Sequence, residues 1–203
     1  MHGNSYLIFT MGDPEGIGPE IIAKSFIQKP FLFRRIIPIV VGNTKILKKY
    51  ACDRFPVVSI DSIEVAKKYK GKLCVIDIQK NLSSGRLSIE YINCALDIIK
   101  KNKYKIPLIT APVSKEKIIK EGINFPGHTE YLAKKTGTKK VAMLMISKKY
   151  KILLATRHIP LKEVTKKLNS KILTEEILNL SEHLQKNKHD KNSKRGLILK
   201  IAY

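Results

Sequence analysis

Tyr6-Leu7-Ile8-Phe9-Thr10-Met11-Gly12-Asp13-Pro14-Glu15-Gly16-Ile17-Gly18-Pro19-Glu20 runs from an apolar segment through a turn-rich loop into a helix start. Tyr6 to Thr10 is of strand type, a short apolar run closed by turn formers. Gly18-Pro19-Glu20 reads as a helix N-terminus. Proline is favoured at the first helical position, and an acid in the first turn complements the helix dipole. This helix is expected to reach about Gln28.

The same alternation continues along the chain. Ile36 to Val41 is an apolar strand closed by Gly42, and Asn43 can cap a short helix through Tyr50. A weaker strand over Phe55 to Ile60, a short helix over Ser62 to Tyr69 and a buried-strand candidate over Leu73 to Ile78 follow. Asn81 to Arg86 reads as loop. Leu87, Tyr91, Ala95 and Ile98 recur at helical spacing. Ile106 to Thr110 is a strand, and Val113 to Glu121 a helix with Gly122 just past its end. Pro126-Gly127 opens a helix carrying His128, Thr129 and Glu130. Val141 to Ser147 and Lys151 to Thr156 suggest a hairpin. Leu161, Val164 and Leu168 mark one helical face, and Leu173, Ile177, Leu180 and Leu184 another. Residues 186–195 are polar and basic, and Gly196 to Tyr203 has room for one strand. Strands alternating with helices argue an α/β fold with a mostly parallel sheet flanked by helices.

Composition narrows the classes. The 203 residues are 43% hydrophobic and 28% charged, enough apolar content for a sizeable core. No run approaches the length of a spanning helix, and the start shows no basic region followed by an apolar one, so the cytoplasm is the expected compartment, with no membrane partner. Cys52, Cys74 and Cys94 have unrelated spacing, as free thiols do. The net charge of +22 comes mostly from lysine and is heaviest over Lys186 to Lys200. Such charge can attract nucleic acid. Adjacent arginines occur only at Arg34-Arg35 and tryptophan is absent, so nucleic acid is not the expected partner.

Loops leaving the C-terminal ends of parallel strands are where such sheets place ligands. Three of them carry chemistry. In the first, Gly12 to Glu20, Gly16-Ile17-Gly18 completes neither GxGxxG nor GxxxxGK[ST], so a tight turn and a ligand loop both stay open. In the second, Thr110-Ala111-Pro112-Val113-Ser114-Lys115, the lysine can meet an anion or lie solvated. In the third, Phe125-Pro126-Gly127-His128-Thr129-Glu130, an imidazole and a hydroxyl sit near a helix start, and Glu130 suits the dipole there. His158 stands where another strand ends. A lone histidine does not make a metal site, since zinc sites usually need three or four ligands.

Four runs occur in order: Thr10–Glu20, Thr110–Lys115, Phe125–Glu130 and Thr156-Arg157-His158-Ile159-Pro160-Leu161. Together they resemble the PdxA family of 4-hydroxythreonine-4-phosphate dehydrogenases of vitamin B6 synthesis, over about residues 5–185. The resemblance implies an architecture like isocitrate and isopropylmalate dehydrogenase, with two α/β lobes around a cleft, and a homodimer. It implies NAD- or NADP-dependent oxidation of 4-phosphohydroxy-L-threonine to a β-keto acid. That acid then loses CO₂ to give 3-amino-2-oxopropyl phosphate. A divalent metal (Zn, Mg or Co) would polarise the reacting oxygen. Carried over by motif, His128 and Thr129 would bind substrate and His158 would be one of three histidine metal ligands. Asp13 and Lys115 fall near the site with no role assigned.

The family's later motifs, with its other two metal histidines and further substrate contacts, do not occur in this sequence. The second lobe is therefore expected to be incomplete, with residues 1–185 an N-terminal part of such a dehydrogenase and 186–203 a basic linker and divergent end. The chain by itself is expected to turn over little substrate. The alternatives are a dehydrogenase of another phosphorylated hydroxy acid, and a non-catalytic basic binding module.

Overall fold

The computed structural model of the chain describes residues 5–33, 36–52, 54–102, 106–147, 150–157 and 159–186. The chain divides into two compact units, Met1–Tyr131 and Leu132–Tyr203.

In the first unit, β1 (Ser5–Thr10), α1 (Gly18–Gln28), β2 (Ile36–Gly42), α2 (Thr44–Ala51), β3 (Val57–Ile60) and β4 (Leu73–Asp77) come first. They are followed by α3 (Ser84–Lys101), β5 (Leu108–Thr110), α4 (Lys115–Lys120) and the start of α5 (His128–Thr136). The five strands form one sheet in the order β3-β4-β2-β1-β5. All four pairings are parallel; Phe9 on β1 lies opposite Val40 on β2 and Ile109 on β5. The α/β reading with a mostly parallel sheet flanked by helices therefore holds.

The apolar runs explain the layering. Every residue of β2 after Ile36 is buried, as a strand covered on both faces requires. Moves along the sheet in one direction carry α1 and α2, and the move from β4 to β5 carries α3. Right-handed crossovers then put α3 on the opposite face from α1 and α2. The contacts agree: α1 packs on α2, and α3 on β1 and β2. Phe9 meets Phe26 of α1 edge-on at 5.9 Å, and Phe26 stacks on Phe55 at 5.7 Å.

Local chemistry sets the helix ends. Asn43 Oδ1 accepts the Ile46 amide at 3.1 Å, the cap its position foretold. Ser83 Oγ accepts the Arg86 amide at 3.2 Å, so α3 begins at Ser84, inside the stretch read as loop. Serine favours caps because its hydroxyl competes for nearby backbone donors. The helix expected over Ser62 to Tyr69 is a 3₁₀ segment, Val65–Tyr69. Ser114 caps α4 through the Lys117 amide, and Gly122 follows it with φ +71°.

In the second unit, β6 (Met143–Ile146) and β7 (Lys151–Leu154) form the antiparallel hairpin, followed by α6 (Leu161–Lys167) and α7 (Ser170–Lys186). Leu161 does not serve an apolar face; it opens α6 at 86% exposure. The division between the units falls inside α5. Residues 187–203, with the basic segment and the strand expected from Gly196, lie outside the described residues, as do Arg34 and Arg35. Cys74 is buried, Cys94 half-buried and Cys52 exposed, all free; burial pushes the Cys74 and Cys94 thiols up. Among the described residues no helix is long and apolar enough to cross a membrane.

Candidate active site

Chain direction along the sheet reverses at β1: the connection from β1 leads to β2, whereas β5 arrives on the other side from β4. Loops at the C-terminal ends of such strands enclose a crevice. Here they are Met11–Ile17 after β1 and Ala111–Ser114 after β5.

The two loops are tied by backbone. The Asp13 amide donates to the Pro112 carbonyl at 3.0 Å, and the Ala111 amide to the Thr10 carbonyl at 3.1 Å. Gly12 has φ +74°, and a Cβ there would stand 2.2 Å from the Pro112 oxygen. A Cβ on Gly18 would stand 2.2 Å from the Met11 oxygen. Both glycines are thus required by chain packed on chain. The open choice between turn and ligand loop falls, for these two residues, to the turn.

Asp13 is buried, at 6% exposure. Its Oδ1 accepts the Glu15 amide at 3.0 Å, and its Oδ2 accepts from Lys117 Nζ at 2.9 Å. The same ammonium donates to Glu15 Oε2 at 2.7 Å. These bonds, to Glu15 first and Asp13 second, hold the Lys117 ammonium above the ordinary lysine range. Hydrogen bonding from Lys117, then from Ser84, holds the Glu15 carboxyl below its ordinary range. Lys117 therefore clasps the β1 loop to α4. The sequence motifs point to Asp13 and Lys115 and not to Lys117. Lys117 and Asp13 are 104 residues apart, and no local spacing links them.

Lys115 points elsewhere, as residues two apart on a helix do. Its Nζ donates to the Pro126 carbonyl at 2.6 Å, which draws the third motif toward the β5 loop. His128 and Thr129 open α5 there, both half-buried. The His128 ring meets Phe125 edge-on at 5.4 Å. Tyr131, one turn on, packs against Phe125 and donates its hydroxyl to Asn93 Oδ1 of α3 at 2.9 Å. Burial first, and the Lys115 ammonium second, hold the His128 imidazole below the usual histidine range. Its Nε2 is shut from solvent with no hydrogen-bond partner. Glu130 Oε2 is in the same condition, which its place near the helix N-terminus does not by itself foretell.

The structure thus brings Lys115 and His128 together and turns Asp13 to Lys117. His158 lies outside the described residues. Among the described residues, no three His, Cys, Asp or Glu side chains cluster closely enough to hold a metal ion.

The family described as Pyridoxal phosphate biosynthetic protein PdxA matches residues 34–197. A 4-hydroxythreonine-4-phosphate dehydrogenase of Aquifex aeolicus is 36% identical, over 79% of this chain and 52% of its own length. A D-threonate 4-phosphate dehydrogenase of Cupriavidus necator is 33% identical, over 78% of this chain and 51% of its own length. The crystal structure of a 4-hydroxythreonine-4-phosphate dehydrogenase from Klebsiella pneumoniae superimposes with a TM-score of 0.77 at 28% identity. That match covers 93% of this chain and 61% of that one. The chain therefore spans between half and about three fifths of the relatives it matches. With the family match extending over most of its length, the chain belongs to the PdxA family of pyridoxal phosphate biosynthetic proteins.

Proposed function

We propose that the chain forms the N-terminal part of a NAD- or NADP-dependent dehydrogenase of 4-phosphohydroxy-L-threonine. This enzyme oxidises the secondary alcohol to a β-keto acid that decarboxylates on the way to pyridoxine 5′-phosphate. The observation that carries the reading is the buried, unpartnered His128 Nε2 beside Lys115 at the C-terminal edge of the sheet. A buried polar atom without a partner costs about 1–3 kcal/mol, and a substrate that supplies the partner recovers it.

In this reading His128 and Thr129 bind substrate. With its basicity depressed, His128 is neutral near pH 7. Nε2 can then donate or accept one hydrogen bond, according to the tautomer. Lys115 supplies positive charge to an anionic group of the substrate. Asp13 does not touch substrate; through Lys117 it holds the β1 loop in place. His158 is assigned to a divalent metal by motif. Among the described residues no cluster of His, Cys, Asp or Glu completes a metal site. Residues 1–185 are the dehydrogenase part and 186–203 a basic linker; the assembled enzyme is a cytoplasmic homodimer.

A second reading, oxidation of D-threonate 4-phosphate, is favoured by the name of the Cupriavidus necator relative. Calorimetric titration of the purified chain with 4-phosphohydroxy-L-threonine tests the proposal. Saturable binding, weakened about tenfold or more in His128→Ala, is the expected result. Absence of saturable binding, or binding indifferent to His128, would overturn it.

A further inference from the structure

α5 begins at His128, so whatever fixes its first turn fixes the direction of that imidazole. The turn is closed by backbone, the Tyr131 amide donating to the Gly127 carbonyl at 3.0 Å. Residues three apart on a helix are neighbours, about 60° apart around its axis. His128 and Tyr131 therefore share one side of the turn, and both rings rest on Phe125, at 5.4 and 5.3 Å. Apolar burial is non-directional, so this packing alone leaves a short helix free to roll or slide. A hydrogen bond prefers one distance and one line of approach. The Tyr131 hydroxyl supplies such a bond, donated to Asn93 Oδ1 at 2.9 Å.

Asn93 stands out in its row on α3. Its neighbours four residues back and three residues on, Ile89 and Leu96, are buried at 4% and 6% exposure. Helical periodicity asks for a third apolar side chain between them. The chain places a neutral amide there instead, which accepts the bond without bringing a charge toward the imidazole. Its base is firm, since Ile92 and Ala95 beside it on α3 are fully buried. Tyr131 is the last residue of the first unit, so the bond ties α5 to α3 where that unit ends. The other polar tie, Lys115 Nζ to the Pro126 carbonyl, lies ahead of the helix and comes from an exposed side chain on a flexible stem.

We propose that Asn93 is a positioning residue: through the Tyr131 hydroxyl it sets the rotation of the first turn of α5, and so holds the His128 ring where substrate meets it. The assignment rests on the functional reading above for what His128 binds. It goes beyond that reading by naming a residue on another helix, outside the motif loops, that decides where His128 stands.

The test is a double-mutant cycle on the purified chain: wild type, Asn93→Ala, Tyr131→Phe and the double variant, each verified as folded by circular dichroism. Two quantities are read, the NMR titration midpoint of His128 and the calorimetric affinity for 4-phosphohydroxy-L-threonine. Neither substitution adds a charge, so a moved midpoint reports a moved ring. Each single variant should raise the midpoint toward about 6.5, as the ring gains water, and weaken binding about threefold or more. The double variant should lose no more than the singles, because all three remove the same bond. Midpoints and affinities that stay put in variants whose unfolding alone is shifted would make the pair merely structural and overturn the proposal, as would losses that simply add. Either result leaves the functional reading standing. A wild type that binds no 4-phosphohydroxy-L-threonine overturns the functional reading, while the His128 midpoints still decide whether Asn93 places the ring.

Discussion

His128 shows how a single side chain is tuned by its setting. Its imidazole is desolvated among Phe125, Tyr131 and the start of α5, and Lys115 adds positive charge nearby. Both effects disfavour the protonated ring. Its NMR titration should therefore have a midpoint below about 6.5, the unperturbed value. Lys115→Met removes the smaller cause and should move the midpoint up, short of that value; no movement would mean Lys115 does not act on the ring. The sign for stability follows. Between the folded and unfolded values the unfolded chain binds more protons, so stability is full above the unfolded value and declines as pH falls below it.

At the scale of elements, capping decides where α3 starts. Ser83 supplies the side-chain acceptor that the first turn lacks, and α3 then carries Tyr91, Ile92 and Ala95 into the core, all fully buried. Ser83→Ala should cost about 0.5–2 kcal/mol in denaturant unfolding. A change under a few tenths would show that packing alone sets the boundary. Reading Asn81 to Arg86 as loop misses this, because the apolar period begins only at Leu87, whereas a cap rests on one hydroxyl. The clasp between α4 and the β1 loop is the other decisive element contact. Lys117 reaches two carboxylates at once, so it fixes the loop's place more than it adds stability, given that its side chain is 38% exposed.

At the scale of the whole molecule, the two units differ in kind. The first has a five-stranded parallel sheet whose inner strands β1, β2 and β4 are buried along most of their length. In the second, Leu180 is the one buried hydrophobic residue among those described, and Met145, Ile146 and Ile152 of the hairpin are more than half exposed. A two-stranded hairpin is marginal on its own. Amide exchange should therefore be slowest in β1, β2 and β4, where it approaches global unfolding, and much faster in β6 and β7. Equal protection of both sheets would contradict this picture.

The sequence by itself determined the class of fold and most of its elements. A short, β-branched apolar run closed by a glycine, such as Ile36 to Val41, reads as a strand buried on both faces, and Pro19 and Asn43 mark helix starts by their own backbone and side-chain chemistry. It also singled out His128, Thr129, Asp13 and Lys115, through runs of turn formers that resemble the family's motifs. Only the tertiary structure decided what those residues meet. Parallel pairing brings loops a hundred residues apart to one sheet edge, so Asp13 finds Lys117 rather than Lys115. It likewise turns Gly12 and Gly18 into packing positions and leaves Glu130 with a buried oxygen and no partner. Local propensity and capping act within a few residues of the chain, and the order of strands in a sheet does not.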